Sequence, residues 1–329
     1  MLRTITLALA LLTATTAAAE KRFAGDAKPW PGEAAMAATL SAARAEATPA
    51  STRPVTVPRS RPLVTGSVST AAKRMARPPV GRHAAAPCLA AARIDEPDIR
   101  RHRTALAGSC IRKHRFREGG RPWTVYTMGE GRPGPLWAVL HDDEDAGFDA
   151  AVVGMRRHGG TILAVETGER RMNETVDPNR NFGTACGPAT RYTALVMGLA
   201  RRHGRVVAVH SNKPGFWGDR RGGRGNISVY RKSRVLRGRP AKRARGAFRS
   251  GDNFVLIAAR NERAARRRIA AVNRRGIHAM FERVAGRGDC SLSNHIVLHE
   301  PMPFVNIEVR DGASRTAIRM IDPALEALR

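Results

Sequence analysis

A chain of 329 residues has room for one large domain or two small ones. Its net charge of +29, from 57 Lys+Arg against 28 Asp+Glu, suits polyanionic partners such as nucleic acid, anionic lipid head groups or acidic wall polymer. No segment approaches the roughly 18 uninterrupted apolar residues of a membrane-spanning helix, and no Cys-x-x-Cys pair offers a cysteine zinc site.

Met1 to Ala19 carries Arg3, an apolar run from Ile5 to Leu12 and the small residues Ala17, Ala18 and Ala19. That is the pattern of a cleaved secretory signal, so an exported protein, periplasmic or secreted, is expected, with no transmembrane segment after cleavage. Export argues against a nucleic-acid partner and leaves an anionic cell-envelope polymer as the polyanion. In an oxidising compartment Cys88, Cys110, Cys186 and Cys290 are expected to pair. Of three connectivities, Cys88–Cys110 with Cys186–Cys290 is the one expected.

Residues 20–86 are rich in Ala, Pro, Arg, Ser and Thr. Pro49, Pro54, Pro58, Pro62, Pro78 and Pro79 interrupt any helix or central strand. A disordered basic tether is expected, with a short Ala-rich helix near Glu33–Ala47. No period of 20–50 residues marks a repeat array.

From residue 87 to 329 the pattern is that of a folded domain. Trp123–Met128 and Leu136–Leu140 read as strands joined by the Gly/Pro turn Gly129–Pro135. Phe148–Arg157 reads as a helix stopped at His158-Gly159-Gly160. Further on, Thr161–Val165, Arg205–Val209, Phe254–Ala259, Ile277–Phe281 and Phe304–Val309 read as strands. Tyr192–Arg202, Glu262–Arg275 and Arg315–Leu328 read as helices. Strands alternating with helices predict an α/β fold, layered around a mainly parallel central sheet. In such sheets function collects beyond the carboxyl ends of the strands.

Between Arg201 and Ser250 the chain has 16 Lys+Arg and one acid, Asp219. Within this stretch Gly218–Arg249 reads as a long basic excursion, either a solvated face or a landing surface for an anionic polymer or substrate. Its Gly-Gly-Arg-Gly lacks the strand–helix setting of a phosphate loop.

Two apolar strands end on histidines. His141 follows Leu136–Leu140, with Glu144 three residues later; His210 follows Val206–Val209. Two imidazoles and a carboxylate leaving strand ends can supply three ligands to one zinc ion, with the fourth position open to water. Asn179 and Arg180, in Asp177-Pro178-Asn179-Arg180-Asn181-Phe182, can grip a carboxylate, the arginine bidentately. Arg170 and Arg171 just upstream can meet a developing oxyanion. Glu308 interrupts the apolar strand Phe304–Val309, which a general base facing an activated water would explain.

His-x-x-Glu, Asp-x-Asn-Arg-Asn-Phe, a strand-end His-Ser and Glu-x-Arg-Asp-Gly, in that order from Trp123 to Gly312, resemble the zinc carboxypeptidase family and its deacylase relatives, of the succinylglutamate desuccinylase and aspartoacylase type. The resemblance implies a three-layer α/β/α fold with a mixed, mainly parallel central sheet. It implies one zinc ion per chain, held by His141, Glu144 and His210, with Asp177 orienting the ring of His141. Asn179 and Arg180 would bind the free carboxylate of the substrate. Arg171, or else Arg170, would polarise the scissile carbonyl, and Glu308 would be the general base. Family members place a tyrosine shortly before that glutamate. Here Tyr126, Tyr192 and Tyr230 lie elsewhere, and His295 and His299 occupy the stretch as polar residues or substrate contacts. The expected activity is hydrolysis of an amide beside a free carboxylate, on peptides or cell-wall peptides. Removal of an acyl group from an N-acyl amino acid is the alternative enzyme. A non-enzymatic polyanion-binding protein is the alternative outside enzymes.

Overall fold

The computed structural model describes residues 87–183, 190–212, 227–230, 233–286 and 288–329. The expected signal, the tether and Cys186 lie outside them. Nine strands form one sheet: β1 (Cys110–Glu118), β2 (Arg121–Gly129), β3 (Leu136–Val139), β4 (Thr161–Glu166), β5 (Val206–Asn212), β6 (Leu236–Arg239), β7 (Phe254–Ala259), β8 (His278–Arg283) and β9 (Phe304–Arg310). Their spatial order is β1-β2-β4-β3-β5-β9-β7-β8-β6. The central strands β4, β3, β5 and β9 run parallel. β1 pairs antiparallel with β2, β2 with β4, β7 with β9 and β6 with β8. The sheet is therefore mixed and mainly parallel at its centre. The turn after β2 does not join neighbours, because β4 lies between β2 and β3.

Among the described residues six helices accompany it: α1 (Pro97–Arg101), α2 (Asp145–His158), α3 (Thr190–His203), α4 (Glu262–Arg274), α5 (Leu292–His299) and α6 (Ser314–Glu326). Successive strand residues point to opposite faces, and the core divides accordingly. Trp137, Val139, Val207, Val209, Val255, Ile257, Val305 and Ile307 pack with Phe148 and Val152 of α2, Ile269 of α4 and Met320 of α6. Leu136, Ala138, Val206, Ala208, Phe254, Leu256 and Phe304 pack with Tyr192 and Val196 of α3 and Ile296 of α5. These two apolar cores, one on each face, make the three layers. The continuous apolar runs of β3, β5 and β7 follow from burial on both sides.

Helix α2 sets the geometry that matters most. Gly147 and Gly154 are two turns apart on one face. A Cβ on Gly147 would stand 2.8 Å from the Val209 carbonyl oxygen, and one on Gly154 would stand 2.6 Å from the Trp137 ring. Only glycine lets the helix settle this close to β3 and β5. Its first residue then follows directly on Glu144, at the ends of those two strands.

Four elements depart from the sequence reading. Helix α1, capped by the Glu96 side chain, and strand β1, paired with β2 along its whole length, lie on stretches assigned to no element. Helix α5 is likewise new, and takes the Ser291 side chain as its N-cap acceptor for the Asn294 N–H. Part of the expected excursion is built into the fold: β6 pairs with β8, and Phe248 in the turn Gly246–Arg249 is buried. Cys88 and Cys110 form the expected disulfide, which ties the start of the domain to β1. Among the described residues no helix is long and apolar enough to cross a membrane.

Candidate metal centre

His141 and Glu144 belong to a turn between β3 and α2, in which the Glu144 N–H donates to the His141 carbonyl. Glu144 is the N-cap residue of α2, but its side chain makes no capping bond. It turns instead toward two imidazoles. Glu144 Oε1 lies 3.0 Å from His141 Nδ1, and Oε2 lies 2.8 Å from His210 Nδ1. The two Nδ1 atoms are 3.1 Å apart. All three residues are buried, at 1%, 1% and 4% exposure for His141, Glu144 and His210.

The outer nitrogen of His141 settles the ring's chemistry. Nε2–H donates to Asp177 Oδ1 at 2.9 Å, since a carboxylate can only accept. Nδ1 is then the nitrogen turned inward, toward a carboxylate and a second ring nitrogen, and it becomes a ligand when a metal displaces its proton. Donor atoms around a tetrahedral zinc ion lie about 3.3 Å apart, from metal–nitrogen bonds of about 2.0–2.1 Å. The residues therefore fit a divalent ion in number, type and spacing. Among the described residues, the same three can hold a metal as a group.

Charge balance supports this. Burial would raise the Glu144 carboxyl, but His141 and His210 hold it well below its ordinary value. Burial would lower the His141 imidazole, but Glu144 and the bond to Asp177 push it up to about 9 in the metal-free chain. Despite its burial, Asp177 is held down to about 2, chiefly by His141.

Glu308 arrives by register. His210 of β5 is paired with Glu308 of β9 in parallel strands, so both side chains leave the same face side by side. Burial raises the Glu308 carboxyl, against the pull of His210. Asn306, two residues earlier on the same face, donates from Nδ2 to Glu308 Oε1 at 2.9 Å. No motif singled out Asn306; only alternation along the strand could have placed it beside Glu308.

Arg171, not Arg170, reaches the cluster, donating from a terminal guanidinium nitrogen to Glu144 Oε1 at 2.6 Å. Arg170 Nε donates to the Thr167 carbonyl at 2.9 Å. Asp142 holds this loop against the His141 turn by accepting from the N–H groups of Thr167 and Glu169. Asn179 and Arg180 sit on the short turn Pro178–Arg180, which Asp177 caps. Asn179 Oδ1 accepts from the Leu292 N–H at the start of α5. Arg180 is half exposed, 3.8 Å from Asp289. Neither enters the His/Glu/His cluster; they lie one turn of chain beyond Asp177. The Tyr230 hydroxyl meets His278 and the Arg249 carbonyl, and Tyr192 is fully buried. On α5, the His295 ring packs near Phe182 and His299.

No family model matches the chain, and no curated protein matches it. Among solved structures, it is similar to the product-bound ectoine utilization protein EutE (DoeB) of Ruegeria pomeroyi at 12% identity and TM-score 0.38, over 67% of this chain and 65% of that one. A "putative carboxypeptidase" of Burkholderia mallei ATCC 23344 is similar at 12% identity and TM-score 0.33, over 68% and 64%. The chain thus spans slightly less than two thirds of either protein, and the reading of the site rests on its own residues.

Proposed function

We propose that the protein is an exported zinc-dependent hydrolase that cleaves an amide bond beside a free carboxylate, on peptides that include those of the cell wall. The observation that carries this reading is the convergence of His141 Nδ1, His210 Nδ1 and the Glu144 carboxylate within 2.8–3.1 Å of one another, with Glu308 beside His210 in the strand register.

One zinc ion held by His141, Glu144 and His210 would supply Lewis acidity, polarising the substrate carbonyl and acidifying water. The chain's own residues do the rest. Glu308 accepts a proton from the attacking water as its oxygen bonds the carbonyl carbon. Arg171 donates to the carbonyl oxygen as negative charge develops there. The carbon–nitrogen bond then breaks, and Glu308 returns the proton to the leaving amine. Arg180, with Asn179 beside it, grips the free carboxylate. Asp177 keeps the His141 ring in the tautomer that leaves Nδ1 free to bind.

Metal analysis of the purified chain, beside a panel of peptides, muropeptides and N-acyl amino acids, tests this directly. We expect about one zinc per chain and its loss in His141→Ala. Glu308→Gln should keep the metal and lose turnover by about 10²–10⁴-fold. Full metal retention by His141→Ala would sink the site. Turnover of acyl amino acids alone would replace the peptidase by a deacylase. Polyanion binding that weakens with salt, with no hydrolysis of any substrate, would replace the enzyme by a binding protein.

A further inference from the structure

The Glu308 carboxylate has a partner that the hydrolytic scheme does not yet use. Asn306 lies in an apolar setting. Its strand neighbours in register are Ala208 of β5 and Leu256 of β7, and Phe304 precedes it on the same face. The side chain is buried at 7% exposure, as is Glu308. Its Nδ2 donates to Glu308 Oε1 at 2.9 Å, while its Oδ1 has no hydrogen-bond partner.

A buried amide with an orphaned oxygen costs stability, and an apolar residue of similar shape would relieve that cost. What asparagine gains here is the bond to Glu308, which satisfies one buried carboxylate oxygen. The bond also acts on the carboxylate itself. A carboxylate at the end of a flexible side chain can rotate about its last bond and take up its proton from either oxygen. One N–H donated to Oε1 fixes the carboxylate plane and favours the ionised form. Oε2 is then the oxygen left to receive a proton from water. A shift of about 1 Å in a reacting group can cost on the order of 100-fold in rate.

We infer that Asn306 is the positioning residue of the general base: it holds Glu308 by Oε1 so that Oε2 faces the reacting water. The inference rests on Glu308 acting as the base, and the experiment separates the two. The zinc-loaded full-length chain is compared with Asn306→Val, Asn306→Thr and Glu308→Gln for zinc content, melting temperature, kcat and KM. The substrate is whichever member of the peptide and acyl-amino-acid panel the wild type hydrolyses.

Asn306→Val should keep its zinc and stay folded, melting at or somewhat below the wild-type temperature because Glu308 Oε1 loses its donor. Its kcat should fall on the order of tenfold or more, with KM within about threefold. Asn306→Thr, whose hydroxyl can donate, should recover part of the lost kcat. A residue that served only the fold would lower the melting temperature and leave kcat per folded molecule unchanged. The inference is overturned if Asn306→Val turns over like wild type, or if its activity falls only in step with zinc or folded protein. If Glu308→Gln is inactive while Asn306→Val is fully active, only the role of Asn306 is lost. If Glu308→Gln stays active, or the wild type hydrolyses nothing on the panel, the general base is lost and this inference with it.

Discussion

Two clusters of buried acidic and metal-capable side chains meet at neighbouring residues. His141 belongs to one, with Glu144 and His210; Asp142 belongs to the other, with Glu96 and Asp98. The second cluster lines a small cavity with Tyr126, Val139, Phe148 and Glu166. The side chains of both are buried, yet burial acts on them in opposite ways. In the first, two imidazoles and Arg171 surround one carboxylate, so Glu144 stays ionised. In the second, carboxylates face carboxylates. Burial pushes Asp98 up to about 8, with Glu96, Asp145 and Asp142 adding to the effect against Arg101. Glu166 is pushed up to about 7 by burial, with Asp142 the next cause. Desolvation alone does not decide the state of a buried acid; the sign of its neighbours does. One cluster balances its carboxylate with cationic groups, whereas the other takes up protons and holds itself by backbone donors. Glu96 accepts from the N–H groups of Asp98 and Ile99, and Asp142 from those of Thr167 and Glu169.

The sharpest way to break this contrast is Glu144→Gln. It leaves His141 and Arg171 facing a neutral amide. Removing one partner of a buried ion pair costs about 3–5 kcal/mol, and urea unfolding of the metal-free protein should show a loss of that size. Metal should be lost as well. A loss of stability below about 1 kcal/mol, that of a surface pair, would mean that Glu144 is not an ion-pair centre. Asp177→Asn comes next. The amide can still accept from His141 Nε2–H but no longer balances its charge, so zinc affinity should fall about 10–100-fold, measured by competition with a chelator. Unchanged affinity would show that Asp177 serves only the turn Pro178–Arg180.

The first cluster was legible in the sequence, and the second was not. His141 and His210 terminate apolar runs, and Glu308 interrupts one, so each stands out against its own strand. Strands β3, β5, β7 and β9 were visible for the same reason. Glu96, Asp98 and Asp142 interrupt nothing. Their meeting depends on α1 packing beside the β3–α2 turn, a tertiary fact without local signal. The same holds for the elements that went unread. β1, Cys-Ile-Arg-Lys-His-Arg-Phe-Arg-Glu, is an edge strand whose basic residues mask its alternation, and its Lys113 ammonium lies over the Tyr126 ring. β6, Leu-Arg-Gly-Arg, is a strand because β8 offers it a partner, and its composition says only that it is basic. Asn306 is polar in an apolar strand, a signal as strong as that of Glu308, yet an amide names no chemistry until its partner is known.

The smallest effect tests the proton-storing cluster itself. The folded-state pKa of Asp98, about 8, stands above its ordinary value of 3.8, so between those values the folded chain binds a proton that the unfolded chain does not. By linkage, this contribution to stability is complete below about pH 4 and is lost as the pH rises through about 8. Asparagine imitates the protonated carboxyl and cannot ionise. Asp98→Asn should therefore flatten part of the wild-type decline, its slope shallower than the wild type's by about 1 kcal/mol per pH unit between pH 5 and pH 8. Glu166 remains, so a shallower slope should persist toward pH 7. Urea unfolding of the two proteins across this range decides it. Parallel curves would mean that Asp98 is ionised in the fold, and that the two clusters do not differ as their neighbours dictate.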